Sequence, residues 1–250
     1  MSYQLILNPK YTNFGNELLH IRETFQSSDK SIHKARNELK IIEIHGIKCV
    51  VKSFKIPHAI NRFAYTFFRA GKAKKSYING TKLKELNINT PEPIGVIEFF
   101  NSGLLTESYF ISLYEPYDFT IREVFHHKVE DFQEILKQFV KFTFNIHKKG
   151  VWHVDYSLGN ILVTKKDKTY KFSLVDINRM EFKAIHPYEG LKNFNKFWAK
   201  DGNDLIILAK EYAKLGNLDE KKAVEILVNE AKFLEAKVNL KRSLRRDKVN

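Results

Sequence analysis

Between residues 39 and 54 the apolar positions fall into two short blocks. Leu39, Ile41, Ile42 and Ile44 come first, then Ile47, Cys49, Val50, Val51 and Phe54, parted by His45-Gly46. β-Branched runs divided by a two-residue turn ending in glycine predict an antiparallel hairpin. A mixed helical pattern follows over residues 59–86, weakened by Gly71 and Gly80. Thr90-Pro91-Glu92-Pro93 is extended, because each proline disfavours helix in the residue before it. Residues 94–100 and 109–114 are apolar and aromatic and predict strands. Glu115-Pro116 breaks the pattern.

Beyond that break the period lengthens. Phe132, Ile135, Leu136, Phe139, Val140 and Ile146 recur near every 3.6 positions after Asp131, and Gly150 stops the helix they predict. Two short strands follow, 161–163 and 172–175. Residues 204–215 are amphipathic and end at Gly216. Asp219 caps a last long helix running towards Leu240, and a basic tail follows, Lys241-Arg242-Ser243-Leu244-Arg245-Arg246. A strand-rich half, a short link and a helix-rich half with a small β insertion make an α+β, bilobal chain, with lobes 1–114 and 115–250.

Composition changes this picture in one respect. Forty-two Lys and Arg against 29 Asp and Glu give a formal charge of +13, which favours anionic partners without choosing among them. The single cysteine, Cys49, lies in an apolar run and reads as a buried small hydrophobe. No disulfide can form within the chain, which fits a reducing compartment. No leader-like or membrane-spanning run occurs, so a cytoplasmic protein is expected. No zinc-ligand spacing, recognition helix or RNA-binding strand signature accompanies the charge, so no nucleic acid is expected. No P-loop motif occurs either.

The chemistry lies in His153-Val154-Asp155-Tyr156-Ser157-Leu158-Gly159-Asn160-Ile161-Leu162, between a helix and a strand, and in Val175-Asp176 at the end of the next strand. Phosphoryl transfer needs one carboxylate to orient the acceptor hydroxyl and take its proton. It needs another carboxylate and an amide to hold Mg²⁺ against nucleotide phosphates. Asp155 and Asn160, on a loop leaving a helix, can point at one site, and Asp176 can close the metal cage.

This H-x-D-x-x-x-x-N spacing followed by a strand and Asp resembles the catalytic loop and metal-binding Asp of the protein-kinase-like superfamily. The wider set resembles the lipopolysaccharide kinase (Kdo/WaaP) family of Gram-negative bacteria. It comprises Ala35-Arg36-Asn37, Val50-Val51-Lys52-Ser53-Phe54, Ala73-Lys74-Lys75-Ser76-Tyr77, Thr90-Pro91-Glu92-Pro93 and Val175-Asp176-Ile177-Asn178-Arg179. The resemblance implies that Lys52 grips the ATP α/β-phosphates, that Asp155 is the catalytic base and that Asn160 and Asp176 are Mg²⁺ ligands. It places Glu115 in the link whose backbone meets adenine, and makes His153 a brace of the loop. It implies transfer to a sugar hydroxyl of the lipopolysaccharide inner core, Kdo of Kdo-lipid A, an anionic lipid-linked acceptor. That substrate is expected at the cytoplasmic face of the inner membrane, an anionic surface that the +13 charge and basic tail suit for peripheral contact.

The chain departs from the pattern in places. No glutamate is evident to pair with Lys52: Ile78 or Asn79 stands near its expected place, and Glu85 comes almost two turns later. In place of a glycine-rich phosphate loop the chain has Gln26-Ser27-Ser28-Asp29-Lys30-Ser31, whose backbone N–H groups would have to serve. Val154 replaces an Arg that reads a phosphorylated activation loop, and Ile177-Asn178 replaces Phe-Gly. Both favour a constitutive small-molecule kinase over a signalling one. Asp204 either bonds the catalytic loop from beneath or serves its own helix dipole. Two other readings stay open: a different small-molecule or protein kinase, and a nucleotide-binding pseudokinase.

Overall fold

The predicted hairpin is present as β3 (Glu38–Ile44) and β4 (Ile47–Ser53), in register from Glu38 opposite Ser53 to Ile44 opposite Ile47. Its turn takes His45 and Gly46 to φ 50° and 73°, the left-handed pair that suits the twist of a two-residue hairpin. The computed structural model describes residues 2–29, 31–34, 37–54, 71–127, 129–197 and 202–246. Met1–Pro116 with Asp176–Arg179 form one compact unit, and Tyr117–Val175 with Met180–Asn250 form another.

In the first unit β1 (Ser2–Leu7), β2 (Ser31–Lys34), β5 (Pro93–Asn101) and β6 (Leu104–Leu113) join the hairpin. The sheet is antiparallel, in the order β1-β5-β6-β4-β3-β2. Phe14, Leu18, Ile21 and Phe25 recur at helical spacing along the chain into α1 (Gly15–Leu19) and α2 (Ile21–Ser27). They bury against Cys49, Val51, Ile97, Tyr109 and Ile111 on one sheet face. Burial pushes the Cys49 thiol up to about 11, so it packs as a small hydrophobe. The Lys40 ammonium donates to the carbonyls of Phe25 (2.7 Å) and Ser28 (2.8 Å), answering acceptors left open at the end of α2.

That helix corrects one expectation. Gln26 and Ser27 are its last residues, so the segment read as a phosphate loop begins inside a helix fixed by the buried Ile21–Phe25 pair. The link between β2 and β3 spans 35–37, of which Ala35 and Arg36 lie outside the described residues. On the other sheet face, α3 (Lys72–Glu85) lays Ala73 and Tyr77 against Phe54, Val96 and Phe110. The rest of the helical pattern, 59–70, lies outside the described residues. Gly80 is a contact point rather than a weak one. A β-carbon there would stand 2.6 Å from Pro93 Cγ and 3.1 Å from Ile177 Cδ1.

The second unit is built on α4 (Ile121–His127), α5 (Phe132–Lys148), α6 (Pro187–Leu191), α7 (Gly202–Gly216) and α8 (Glu220–Arg246). Two small sheets accompany them. One orders β10 (Thr169–Leu174), β9 (Ile161–Lys166) and β7 (Phe119–Thr120), and the other pairs β11 (Met180–Phe182) with β8 (Val151–His153). Gly150 ends the run after α5 at φ 72°. Asp219 caps α8 as expected, its Oδ1 accepting from Lys222 N at 2.7 Å. Ala223, Leu227 and Ala231 bury one stripe of that helix. With no Gly or Pro after them, the helix continues through 241–246 instead of fraying. Among the described residues no helix is long and apolar enough to cross a membrane.

Candidate functional site

Lys52 sits on β4 opposite Phe110 of β6 and Leu39 of β3. Antiparallel partners share a face, so its side chain lies on the face that α3 covers. The ammonium stands 5.0 Å from the centre of the Phe54 ring and forms an ion pair with Asp176. Asp176 is held at φ 55°, a left-handed conformation costing on the order of 1 kcal/mol outside glycine and best tolerated by Asp and Asn. Asn79 of α3 donates to the Ile177 carbonyl at 2.7 Å and so fastens the segment carrying that strained carboxylate.

The open question of the lysine's partner is thereby answered. Asp176 pairs with Lys52, and α3 contributes an amide to the neighbouring backbone. Ile78 is exposed, and Glu85 pairs with Lys82. Sequence reasoning missed one acid nearby. Glu98 of β5 is 7% exposed, lies opposite Ser108 and accepts from its hydroxyl at 3.2 Å. Burial pushes its carboxyl up, against the pull of Ser108 and of Lys74. Gly71, before α3, admits it, since a β-carbon there would meet Glu98 Oε1 at 2.4 Å. Glu115 follows β6 in irregular chain, half-buried. The residue before it is fixed by Tyr114 N donating to the Lys48 carbonyl at 2.9 Å.

In the second unit His153 is fully buried. Its Nδ1 accepts from Asp155 N (3.1 Å) and its Nε2 donates to the Val175 carbonyl (3.0 Å), a tautomer assigned from those partners. It braces the loop. Asn160 Nδ2 donates to the Asp155 carbonyl at 2.9 Å, and Val175 N donates to the Asn160 carbonyl at 3.0 Å. The next residue along the chain from Val175 is Asp176. Asp155 and Asn160 are thus tied together in one unit, and Lys52 and Asp176 in the other.

Two features of the loop had no sequence signal. Lys196 donates to Asp155 Oδ1 at 3.0 Å and to the Val154 carbonyl at 2.7 Å. A hydrogen-bonded chain also supports it from below. Tyr212 donates to His147 Nδ1 (2.8 Å), His147 Nε2 to Asn193 Oδ1 (3.1 Å), and Asn193 Nδ2 to the His153 carbonyl (3.0 Å). Burial pushes the His147 imidazole down to about 4, so it is neutral and can play both parts. Arg122 covers Gly159, where a β-carbon would meet its guanidinium at 2.6 Å. Asp204 is buried in the first turn of α7.

Among the described residues no three His, Cys, Asp or Glu gather into a ready cation cage. Magnesium carried by a nucleotide does not need one, because phosphate oxygens and water supply most of its six ligands. Each candidate ligand, taken within its own unit, keeps an oxygen of the kind such an ion takes. Asn160 spends its amino group on the loop and keeps Oδ1 as its cation-type donor, and Asp176 engages Lys52 through Oδ1, with Oδ2 its second oxygen.

The sheet-bearing unit and the helical unit together give the chain a protein-kinase-like fold. It is similar to WaaP, solved in complex with acyl carrier protein, at TM-score 0.62 and 13% identity over 94% of this chain and 98% of that one. It is also similar to Rio2 kinase of Chaetomium thermophilum, solved as an ADP/Mg²⁺-phosphoaspartate complex, at TM-score 0.51 and 15% identity over 90% of this chain and 71% of that one. Likeness at such identity establishes the fold. No family model and no curated protein matches the sequence.

Proposed function

We propose that this chain is an ATP- and Mg²⁺-dependent kinase acting on a sugar hydroxyl of the lipopolysaccharide inner core, with Kdo of Kdo-lipid A as acceptor. The observation that supports it most is that the residues singled out by the sequence fall, on a protein-kinase-like fold, into two bonded pairs, Lys52 with Asp176 and Asp155 with Asn160. Lys52 binds the nucleotide phosphates, and backbone groups beside Glu115 meet the adenine. Asp155 orients the acceptor and takes its hydroxyl proton as that oxygen bonds to the γ-phosphorus. The bond from the γ-phosphorus to the β,γ-bridging oxygen breaks, and ADP leaves with that electron pair. Asn160 and Asp176 would hold Mg²⁺, which neutralises phosphate charge.

The acceptor carries lipid, and α8 offers a surface suited to an anionic membrane. Phe233 and Leu240 are 67% and 61% exposed. They stand seven residues apart, hence on one helix face. Lys232, Lys237 and Lys241 are exposed around them. Exposed apolar anchors among cations are the pattern of an interfacial helix. The test presents Kdo-lipid A in anionic vesicles with Mg·ATP. The protein should sediment with the vesicles and the lipid should gain the mass of one phosphate. Binding without that mass gain would remove Kdo as acceptor.

A further inference from the structure

We infer that Lys196 is a positioning residue for phosphoryl transfer, a cation outside the catalytic loop that aims and holds the carboxylate of Asp155. The inference rests on the kinase reading, and it gives Asp155 a partner that loop spacing does not reveal.

The ammonium is fixed at two points, Asp155 Oδ1 and the Val154 carbonyl. A single ion pair leaves a long side chain free to swing, whereas two acceptors define one place for Nζ and so one orientation for the carboxylate.

The backbones carrying both groups are pinned by the same packing. Asp155 is followed by Tyr156, and Lys196 is followed by Phe197 and preceded two positions earlier by Phe194. All three aromatic side chains are fully buried. Tyr156 lies 5.6 Å from Phe197 and 6.2 Å from Phe194, ring centre to ring centre, and its hydroxyl is 2.7 Å from Thr143 Oγ1. Lysine and aspartate are thus each chain neighbours of residues in one aromatic cluster, so the distance between them is set by core packing.

Exposure separates this pair from a merely structural one. The two side chains are 32% and 28% exposed, wet enough that a lone ion pair adds little to stability and open enough for an acceptor to reach Asp155. The two positions after Asp155, Tyr156 and Ser157, bring no cation of their own. Phosphoryl transfer through a loose transition state asks little of the base's strength and much of its placement. A lysine that opposes proton uptake while fixing direction is compatible with that demand.

The test compares wild type with Lys196→Ala and Lys196→Arg, measuring Mg·ATP turnover with Kdo-lipid A and with water as acceptor. Mg·ADP affinity is measured by calorimetry. Lys196→Ala should lower kcat about tenfold to a hundredfold, leave Mg·ADP affinity within about twofold, and move the acidic limb of the pH–rate profile to higher pH, because an opposite charge beside Asp155 is gone. Lys196→Arg, or added methylammonium with the alanine variant, should restore part of the rate. An alanine variant matching wild type in kcat and pH profile overturns the inference. So does one that loses rate and Mg·ADP affinity together and regains neither with arginine or amine, since that is a folding defect. A wild type that neither binds Mg·ADP nor turns over ATP overturns the kinase reading itself, a result readily told apart from the others.

Discussion

In each unit a candidate site aspartate pairs with a lysine, Asp176 with Lys52 and Asp155 with Lys196, and the two pairs are built by different means. In the first unit Lys52 and Asp176 are 124 residues apart in sequence. Strand register sets the lysine, and a left-handed backbone tied down by Asn79 sets the aspartate. In the second, Asp155 and Lys196 are brought together by buried aromatic rings behind them. The first pair is a hydrogen-bonding solution with some backbone strain, and the second is a packing solution without it. Where a charge is placed by register, its neighbours in sequence betray it. Where it is placed by core packing, they do not.

The largest effect is expected from Asp155→Ala. On the kinase reading it lowers the transfer rate by roughly 10²–10⁴, the usual worth of a positioned base, and leaves Mg·ATP affinity nearly unchanged. Steady-state kinetics with calorimetry on one preparation checks both. Equal turnover in the variant removes Asp155 from its role.

Acid and base should act on the units in opposite senses. Above pH 6.5 His147 is neutral folded or unfolded. Below that the unfolded chain gains a proton that the folded chain refuses until about pH 4, so the stability it lends the second unit drains away over that window, to the extent of about 3 kcal/mol. Glu98 works the other way. Its raised carboxyl holds a proton that the unfolded chain releases near 4.5, so its contribution is whole below 4.5 and is lost as pH rises through the raised value. Hydrogen exchange across pH 4–8 should show the second unit loosening first in acid. Glu98→Gln should stabilise the first unit at pH 7 and change it little at pH 4. A variant less stable at pH 7 would show that the charged form is the one the fold wants.

A smaller effect separates affinity from rate. Asp176→Ala should weaken Mg·ATP binding by about tenfold, near 1.4 kcal/mol, while nucleotide without magnesium binds about as before. Titration calorimetry with and without Mg²⁺ measures the difference, and an unchanged magnesium dependence would take Asp176 out of the metal site.

Much of the fold could be read along the chain because it rests on local rules. The hairpin at His45-Gly46, α5 and the Asp219 cap each follow from neighbouring residues. The failures share a cause. Gln26–Ser31 looked like a loop because its residues are polar, and the burial that extends α2 through Ser27 is a property of Ile21 and Phe25 against a sheet. Gly80 looked like a weak point in a helix because the atoms crowding it, from Pro93 and Ile177, lie 13 and 97 residues away.

Residue type and spacing along the chain already mark which side chains are available for chemistry and in what order: Lys52, Asp155, Asn160 and Asp176. Their partners emerge only on folding: Asp176 for Lys52, Lys196 for Asp155, Asn79 for the backbone at Ile177. The reason is physical. Spacing along a chain records local geometry, whereas a hydrogen bond or ion pair between distant residues depends on which faces pack together, and that is settled by the whole core at once.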